Sequence, residues 1–248
     1  MRPFARVTRD DETSLANHFE RLPLERLRAE FTAQAEFVVI DQCVPDDVLD
    51  GLITRAHELR PALHRNYIPG HKKGGSISAF HLDHAAFEFK ALYASPTLLT
   101  TLETLTQRRL HVCPNRDPHA FALYYYTEEG DHVGYHYDTS YYQGERYTVL
   151  IGLIDKSSCR LECQLYKNDS TRETELLSLD LPPGRLVLFN GDKLYHRVTA
   201  LGAGEERVVL TLEYLTHIDI KPARRFISNM KDAIAYFGFK QIFGRRPS

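Results

Sequence analysis

The segment Gly134-Tyr135-His136-Tyr137-Asp138-Thr139 determines how the rest of the sequence is interpreted. His136 and Asp138 are two positions apart, and residues i and i+2 of an extended strand point to the same face. We predict that this segment is a strand, so that an imidazole and a carboxylate project side by side from it.

Two later segments complete a pattern with this pair. His196 lies 58 positions beyond Asp138, and Arg207 lies a further 11 positions along, at the start of an apolar run. Two imidazoles and one carboxylate on one face of a metal leave open coordination positions, an arrangement that suits non-heme Fe(II). We therefore predict that His136, Asp138 and His196 are the ligands of a metal ion.

Length and charge are those of an ordinary single domain. A chain of 248 residues is long enough for a sizeable core, and we predict one domain over 1–248. Its 31 basic and 33 acidic residues nearly balance, which gives no electrostatic reason to expect nucleic acid as a partner. No apolar run approaches the roughly 20 residues of a membrane span, and the charged segment 1–11 lacks the apolar stretch of a secretory signal.

The cysteines bear on the compartment. Cys43, Cys113, Cys159 and Cys163 include no CxxC pair, so we expect reduced thiols in a cytoplasmic protein. Cys159 and Cys163 would share a face of one strand, which leaves a soft metal site as an alternative to two half-buried thiols. We favour the thiols, because cysteine commonly behaves as a small buried apolar residue.

From about residue 120 the sequence consists of short β-rich segments separated by turn residues. Eight such segments in about 96 residues favour a double-sheet jelly roll or a sandwich, hence a mainly β fold with flanking helices. The eight segments are 120–127, 132–139, 146–154, 160–166, 174–181, 185–190, 194–200 and 206–215.

The flanking regions are predicted to support this β region. Residues 1–119 suggest mainly helices, including one from Pro45 to about Leu59 and one capped by Ser95. The glycine-rich segment 66–78 is predicted to be a mobile loop, either a solvated connector or a lid over the site. Residues 216–248 are predicted to contain a C-terminal helix that packs outside the β core.

A second His-x-Asp pair tests the assignment of the metal ligands. His81-Leu82-Asp83 lies in a segment with helical character, where residues two apart do not face together. We therefore do not expect this pair to bind a metal. Among the other histidines, His132 shares strand parity with His136 and is predicted to lie beside the ligands.

Residues 120–215 resemble the Fe(II)/2-oxoglutarate-dependent dioxygenases, in particular the prolyl-hydroxylase-like branch. A fainter similarity is to small bacterial amino-acid hydroxylases and halogenases. The matching positions are Tyr126, His136, Asp138, Pro183, Gly184, Phe189, His196, Val198, Arg207 and Thr211. The order and spacing of these positions, and not the His-x-Asp pair alone, make the resemblance specific.

The resemblance implies a double-stranded β-helix (jelly-roll, cupin-like) core and the cofactors Fe(II) and 2-oxoglutarate, with O₂ as co-substrate. It implies that Arg207 binds the distal carboxylate of 2-oxoglutarate and that Thr211 and Tyr126 add hydrogen bonds. The residues themselves agree, because Arg207, Thr211 and Glu213 share one strand face, and so polar an inward face needs a polar ligand. The alternative for Arg207 is an ordinary salt bridge.

The implied reaction hydroxylates an unactivated C–H bond and releases succinate and CO₂. In related halogenases a small residue replaces the carboxylate ligand, so Asp138 favours oxygenation over chlorination. The substrate is predicted to be a small polar metabolite, such as a free amino acid or a natural-product intermediate. The residues expected to contact it are His119, His132, Tyr141, Tyr142, Arg146 and Glu213.

Two other functions stay open on the sequence alone. The same chemistry could act on a protein or peptide side chain, with segment 66–78 as the docking edge. A non-enzymatic cupin-like binding module would instead use the metal residues structurally, although it would not need the pairing of Arg207 with Thr211. The sequence does not decide the oligomeric state.

Overall fold

The computed structural model describes residues 9–114, 117–138 and 142–220. These residues contain six α-helices and a short 3₁₀ helix, Arg60–Ala62. The α-helices are α1 Arg9–Phe19, α2 Leu24–Ala33, α3 Asp46–Leu59, α4 Ala79–Ala85, α5 Phe87–Tyr93 and α6 Pro96–Thr106. None of the helices within these residues has the length and apolar character that a membrane span requires.

The helices begin where their capping residues predict. In α6 the Ser95 hydroxyl accepts a hydrogen bond from the Leu98 backbone N–H, and Pro96 occupies the first helical position. The leucines that follow at helical spacing, Leu102 and Leu105, are buried in the large core, where α6 packs on α1 and α2. Helix α3 likewise begins directly after Pro45, with two acidic residues in its first turn.

Twelve strands in the described residues form one curled antiparallel sheet. They are β1 Phe37–Ile40, β2 His64–Ile68, β3 Lys72–Ile77, β4 His111–Val112, β5 Phe121–Tyr126, β6 His132–His136, β7 Arg146–Lys156, β8 Leu161–Leu165, β9 Glu175–Leu179, β10 Leu186–Asn190, β11 Tyr195–Val198 and β12 Glu206–Leu215. The order is β1-β10-β7-β12-β5-β3-β6-β11-β8-β9, with β2 beside β3 and β4 beside β12. All eight strands predicted after residue 120 are present, and the mainly β, jelly-roll class is confirmed.

The prediction of a mobile loop over 66–78 was wrong. Strands β2 and β3 form a hairpin, and β3 is hydrogen-bonded between β5 and β6. Two of the glycines have structural reasons: a Cβ at Gly75 would lie 2.8 Å from Leu63 Cδ1, and Gly70 adopts a positive φ in the turn between β2 and β3. The region before residue 120 therefore supplies sheet strands as well as helices.

Strand β12 separates two environments. Its even-numbered residues, Val208 to Tyr214, belong to the large core that packs the sheet on the helices. Its odd-numbered residues, Arg207 to Glu213, point to the opposite face, inside the curl of the sheet. This alternation places a row of polar side chains in the interior of the fold.

Two sequence-based predictions cannot be followed in the structure. The C-terminal helix predicted at 222–237 and the predicted substrate residue Tyr141 lie outside the described residues. The four cysteines are all described, and all are free and buried. The cytoplasmic location therefore stays a prediction.

Candidate metal centre and its cavity

Three potential metal ligands converge at the ends of two neighbouring strands. His136, the last residue of β6, pairs directly with His196 of β11, and Asp138 follows two residues later. Asp138 Oδ1 lies 3.3 Å from His136 Nε2, and its Oδ2 lies 3.7 Å from His196 Nε2. One atom from each residue fits within 4.8 Å of the others, and no other group of three or more such residues occurs in the described part of the chain.

Backbone contacts orient both imidazoles toward a shared point. His136 Nδ1 lies 2.8 Å from the Gly134 carbonyl oxygen, and His196 Nδ1 lies 3.2 Å from that of Leu194. When each Nδ1–H donates to its carbonyl, each Nε2 presents a lone pair to the space beside Asp138. The two rings, 4.3 Å apart between centroids, thus offer neutral nitrogen ligands from one side.

The charges of the site suit a divalent cation. Burial lowers the pKa of His196 to about 4, so this imidazole is neutral at pH 7. Burial alone would raise the pKa of Asp138, but attraction to His196 and a hydrogen bond from His136 outweigh it and hold the pKa well below its usual range. The Thr148 hydroxyl also donates to Asp138 Oδ2 at 2.9 Å. Contact with Asp138 raises the pKa of His136 in spite of burial, so a metal that binds here would displace a proton from this imidazole. The site then offers two neutral imidazoles and an ionised carboxylate.

The second His-x-Asp pair is not assembled in this way. His81 and Asp83 lie on α4, and the Asp83 carboxylate accepts a hydrogen bond from Lys90 Nζ at 2.6 Å. The prediction that this pair is helical is confirmed.

The three candidate ligands open into a cavity of about 440 Å³. This volume falls in the range of about 300–1,000 Å³ that is usual for small-molecule sites. The floor consists of side chains from β5, β12 and β7, and β6 and β11 form the facing wall. The lining residues are Ile68, His71, His119, Ala122, Tyr124, Tyr126, Val133, His136, Tyr137, Asp138, Arg146, Leu150, Leu161, His196, Val198, Arg207, Val209, Thr211 and Glu213.

One end of the cavity carries a buried cation without an acidic partner. Arg207 is 1% exposed, and its Nη1 donates to the Cys159 carbonyl oxygen at 3.2 Å. Its Nε is buried without a hydrogen-bond partner, and no carboxylate pairs with it in the described residues. The salt bridge considered for Arg207 is therefore absent from the described part of the chain.

Two hydroxyl groups face the same cavity as this guanidinium. Tyr126 lies directly opposite Arg207 in the β5–β12 register, and Thr211 is four residues along β12. Neither hydroxyl makes a hydrogen bond within the described residues, and both side chains line the cavity. Together with Arg207 they can provide a cationic fork and two hydrogen bonds to an anion.

The other end of the cavity contains an ion pair. Arg146 Nε donates to Glu213 Oε2 at 2.6 Å, and Thr148 Oγ1 lies 3.0 Å from the same oxygen. Burial raises the pKa of Glu213 to about 7 in spite of attraction to Arg146. Burial also lowers the pKa of His119 to about 4. Of the predicted substrate residues, His119, Arg146 and Glu213 line the cavity.

Two predicted substrate residues are elsewhere. Tyr142 is buried in the main core and forms an isolated bridge with Ile220. His132 is not among the lining residues, because the β6–β11 pairing shifts register between His136 and Val133. The extra residue reverses the alternation of β6, so Val133 faces the cavity in place of His132. The sequence-based prediction assumed regular alternation of side chains along the strand, and a bulge breaks this alternation.

Thr148 was missed by the sequence analysis, although it joins the metal site to the ion pair. It lies between Arg146 and Leu150 on one face of β7, and its hydroxyl contacts both Asp138 and Glu213. The sequence did contain a sign of this role. Arg146 and Thr148 are polar residues two positions apart in a central strand, which indicates a polar interior face.

Comparison with solved structures identifies the fold. The epimerase SnoN of nogalamycin biosynthesis, a non-heme alpha-ketoglutarate-dependent enzyme, matches with a TM-score of 0.66 and 14% identity, over 80% of this chain and 83% of SnoN. The carbocyclase SnoK of the same biosynthesis matches with a TM-score of 0.65 and 12% identity, over 86% and 92%. A prolyl hydroxylase from Trichoplax adhaerens, solved with a hypoxia-inducible-factor peptide, matches with a TM-score of 0.61 and 16% identity, over 84% and 91%.

The fold is that of the Fe(II)/2-oxoglutarate-dependent oxygenases. The resemblance noted in the sequence is thereby confirmed at the level of the fold. SnoN has also been solved with Fe³⁺, alpha ketoglutarate and nogalamycin RO bound. No family model matches the sequence, and no curated protein matches it significantly.

The metal assignment can be tested with the two His-x-Asp pairs as target and control. We expect His196→Ala to weaken Mn(II) binding, measured by isothermal titration calorimetry, by more than about 100-fold, because loss of a direct ligand should exceed the 10–100-fold cost of losing an outer contact. His81→Ala should bind Mn(II) like the unmodified protein. Equal binding by both variants would remove His196 from the site.

A second prediction concerns the backbone beside Asp138. A Cβ at Gly191 would lie 2.9 Å from both the Cβ and the carbonyl oxygen of Asp138, and Gly191 has no positive φ. We expect Gly191→Ala to displace Asp138 and to lower Mn(II) affinity by about 10- to 100-fold, as for loss of other contacts that orient a ligand.

The control for this substitution is Gly51→Ala, at an exposed position of α3 with open space around it. It should leave metal affinity unchanged and raise the free energy of unfolding by about 0.5–1 kcal/mol. Wild-type metal affinity in Gly191→Ala, in a folded protein, would contradict the assignment of Asp138.

Proposed function

We propose that this protein is an Fe(II)/2-oxoglutarate-dependent oxygenase that hydroxylates a small polar molecule, with release of succinate and CO₂. The observation that carries the proposal is a single cavity that holds both the His136–Asp138–His196 group and the buried, unpaired guanidinium of Arg207. The fold shared with oxygenases of this kind supports the proposal.

The donor set fits iron. Two neutral imidazole nitrogens and one carboxylate, all from one side, are the ligands typical of non-heme Fe(II) oxygenases. The charge of Asp138 would offset part of the metal charge. The hydrogen bonds from His136 and His196 to backbone carbonyls hold the ligand nitrogens in place.

The Arg207 end of the cavity fits 2-oxoglutarate. A buried guanidinium without an acidic partner is costly unless an anion binds to it. Arg207 would bind the carboxylate of 2-oxoglutarate that is distant from the metal, and Tyr126 and Thr211 would donate hydrogen bonds to it. The apolar side chains of Val209 and Leu161 would exclude water between this end and the metal.

Bound iron with 2-oxoglutarate supplies the oxidising chemistry, in which O₂ is consumed and succinate and CO₂ are released. The residues of this chain position the two cofactors and the substrate C–H bond. As a carboxylate ligand, Asp138 would take the place that a small residue leaves for halide in related halogenases, which favours oxygenation over chlorination.

Two alternatives are less well supported. A non-enzymatic binding module would use the three metal residues structurally, but a structural metal does not need an unpaired guanidinium in the same cavity. A peptide side chain as substrate is suggested by the prolyl hydroxylase neighbour, whose structure holds a peptide. The hairpin residues Ile68 and His71, which border the cavity, would then contact the peptide.

The role of Arg207 can be measured by 2-oxoglutarate binding. In metal-loaded protein, Arg207→Gln should raise the Kd for 2-oxoglutarate by roughly 10- to 100-fold, because a hydrogen bond to a charged group contributes about 1.5–3 kcal/mol. The substitution should not unfold the protein, since it strands no buried carboxylate. Arg197→Gln, which changes a half-exposed arginine paired with Glu162, is the matched control.

A ligand-side control makes this test specific. 2-Oxobutyrate lacks the distal carboxylate, so the unmodified protein should bind it much more weakly than 2-oxoglutarate. Arg207→Gln should bind both ligands with similar affinity. An undiminished preference for 2-oxoglutarate in this variant would place the carboxylate site elsewhere.

The reaction itself is tested by a metabolite screen with Fe(II), 2-oxoglutarate and ¹⁸O₂ in chloride-containing buffer. A substrate should stimulate succinate formation and yield a product that carries one labelled oxygen, detected by mass spectrometry. A chlorinated product would show that Asp138 is not an iron ligand. Absence of 2-oxoglutarate binding to metal-loaded protein would overturn the proposed function.

A further inference from the structure

The ion pair at the far end of the cavity is formed by Arg146 and Glu213. Each of these side chains keeps polar atoms that make no hydrogen bond within the described residues. The side chains of Arg146 and Glu213 are 14% and 4% exposed and line the cavity. Only Arg146 Nε and Glu213 Oε2 are engaged in protein hydrogen bonds in the described part of the chain. The two terminal guanidinium nitrogens and Glu213 Oε1 are accessible and without protein partners there.

This pair is separate from the 2-oxoglutarate end. Glu213 lies six residues beyond Arg207 on β12, a separation of about 20 Å between Cα atoms at about 3.3 Å per residue. Arg146 therefore is not needed to bind the distal carboxylate of the cofactor. The pair lies on the side of the cavity that is left for a substrate.

The pair also lies beside the candidate metal ligands. Thr148 Oγ1 lies 2.9 Å from Asp138 Oδ2 and 3.0 Å from Glu213 Oε2, and its one hydroxyl hydrogen can be donated to either carboxylate. The two carboxylate oxygens are thus no more than about 6 Å apart. Arg146 and Thr148 both approach Oε2, which leaves Oε1 of this cavity-lining side chain available to a ligand. A molecule held by this pair would be next to the metal.

Stability does not explain the pair. Removing two charges from water costs about as much as their attraction returns, and a well-packed apolar pair often serves the fold as well. Free guanidinium nitrogens form a fork that matches a carboxylate, and a free carboxylate oxygen accepts from an ammonium group. A ligand that used only one of these would leave the other charge buried and unmatched.

We propose that Arg146 and Glu213 bind the carboxylate and the ammonium group of a free α-amino acid, the substrate class of the oxygenase proposed above, on which this inference rests. The two protein charges are in direct contact, at 2.6 Å, so they match ligand charges on neighbouring atoms, as in an α-amino acid. A residue inside a peptide has neither charge, so this recognition excludes internal peptide residues as substrates.

The first test uses the unmodified protein. Each of the twenty coded L-amino acids is titrated into anaerobic protein loaded with Fe(II), with and without 2-oxoglutarate, and binding is measured by calorimetry. The tightest binder is then compared with its methyl ester, which lacks the carboxylate, and with its N-acetyl derivative, which lacks the ammonium group. We expect each blocked derivative to bind at least about tenfold more weakly, as loss of a charge-assisted hydrogen bond implies.

The second test assigns each ligand charge to its residue. Arg146→Met should abolish the preference for the free acid over its methyl ester but keep the preference for the free amine. Glu213→Gln should do the reverse. Because removing one partner of a buried pair can destabilise the fold, the double variant Arg146→Met/Glu213→Gln is included, and it should fold and lose both preferences. Arg197→Gln should keep both.

The outcomes separate this inference from the proposed function. Arg207-dependent binding of 2-oxoglutarate, together with no amino acid binding, would overturn the substrate assignment and leave the oxygenase standing. Equal affinity for the acid and its ester, or unchanged preferences in the double variant, would also overturn the assignment. Should 2-oxoglutarate fail to bind, the titrations with Fe(II) alone still decide whether Arg146 and Glu213 recognise a zwitterion.

Discussion

Strand β12 must place apolar side chains on one face and polar side chains on the other, and the arrangement of the whole molecule depends on this constraint. Its even-numbered residues pack on the helices, so they hold the strand in the centre of the sheet. The odd-numbered residues are then forced into the interior of the curl, where water is limited. Packing of the apolar face of β12 stabilises the fold. The polar face of the same strand is then left to line a cavity.

The polar groups of this cavity are arranged as two separate charge systems with the candidate metal ligands in the same cavity. Arg207 has no acidic partner in the described residues, whereas Arg146 is neutralised by Glu213. A buried cation without an acidic partner is stabilised by an anionic ligand. An ion pair that keeps unused donor and acceptor atoms suits a ligand that carries both charges. Because the charges at the two ends differ in this way, we assign the Arg207 end to 2-oxoglutarate and the Arg146–Glu213 end to a substrate.

Much of the fold and of the candidate site could be predicted from the sequence, because the signals are local. Strand alternation placed Arg207, Thr211 and Glu213 on one face of β12, and the structure agrees. The failures involve contacts between segments distant in sequence. The pairing of β3 with β5 and β6 and the register shift that turns His132 away both depend on neighbouring strands. Composition and parity contain no information about either.

The fold alone cannot determine the reaction. The structures that share it include an epimerase, a carbocyclase and a prolyl hydroxylase, so the same scaffold supports different outcomes on different substrates. In this protein the fold brings the three candidate metal ligands and the buried guanidinium of Arg207 into one cavity. The end of the cavity opposite Arg207 presents Arg146 and Glu213, and both Glu213 Oε2 and Asp138 Oδ2 lie within 3.0 Å of Thr148 Oγ1. A ligand held by this ion pair would therefore lie close to the candidate metal ligands.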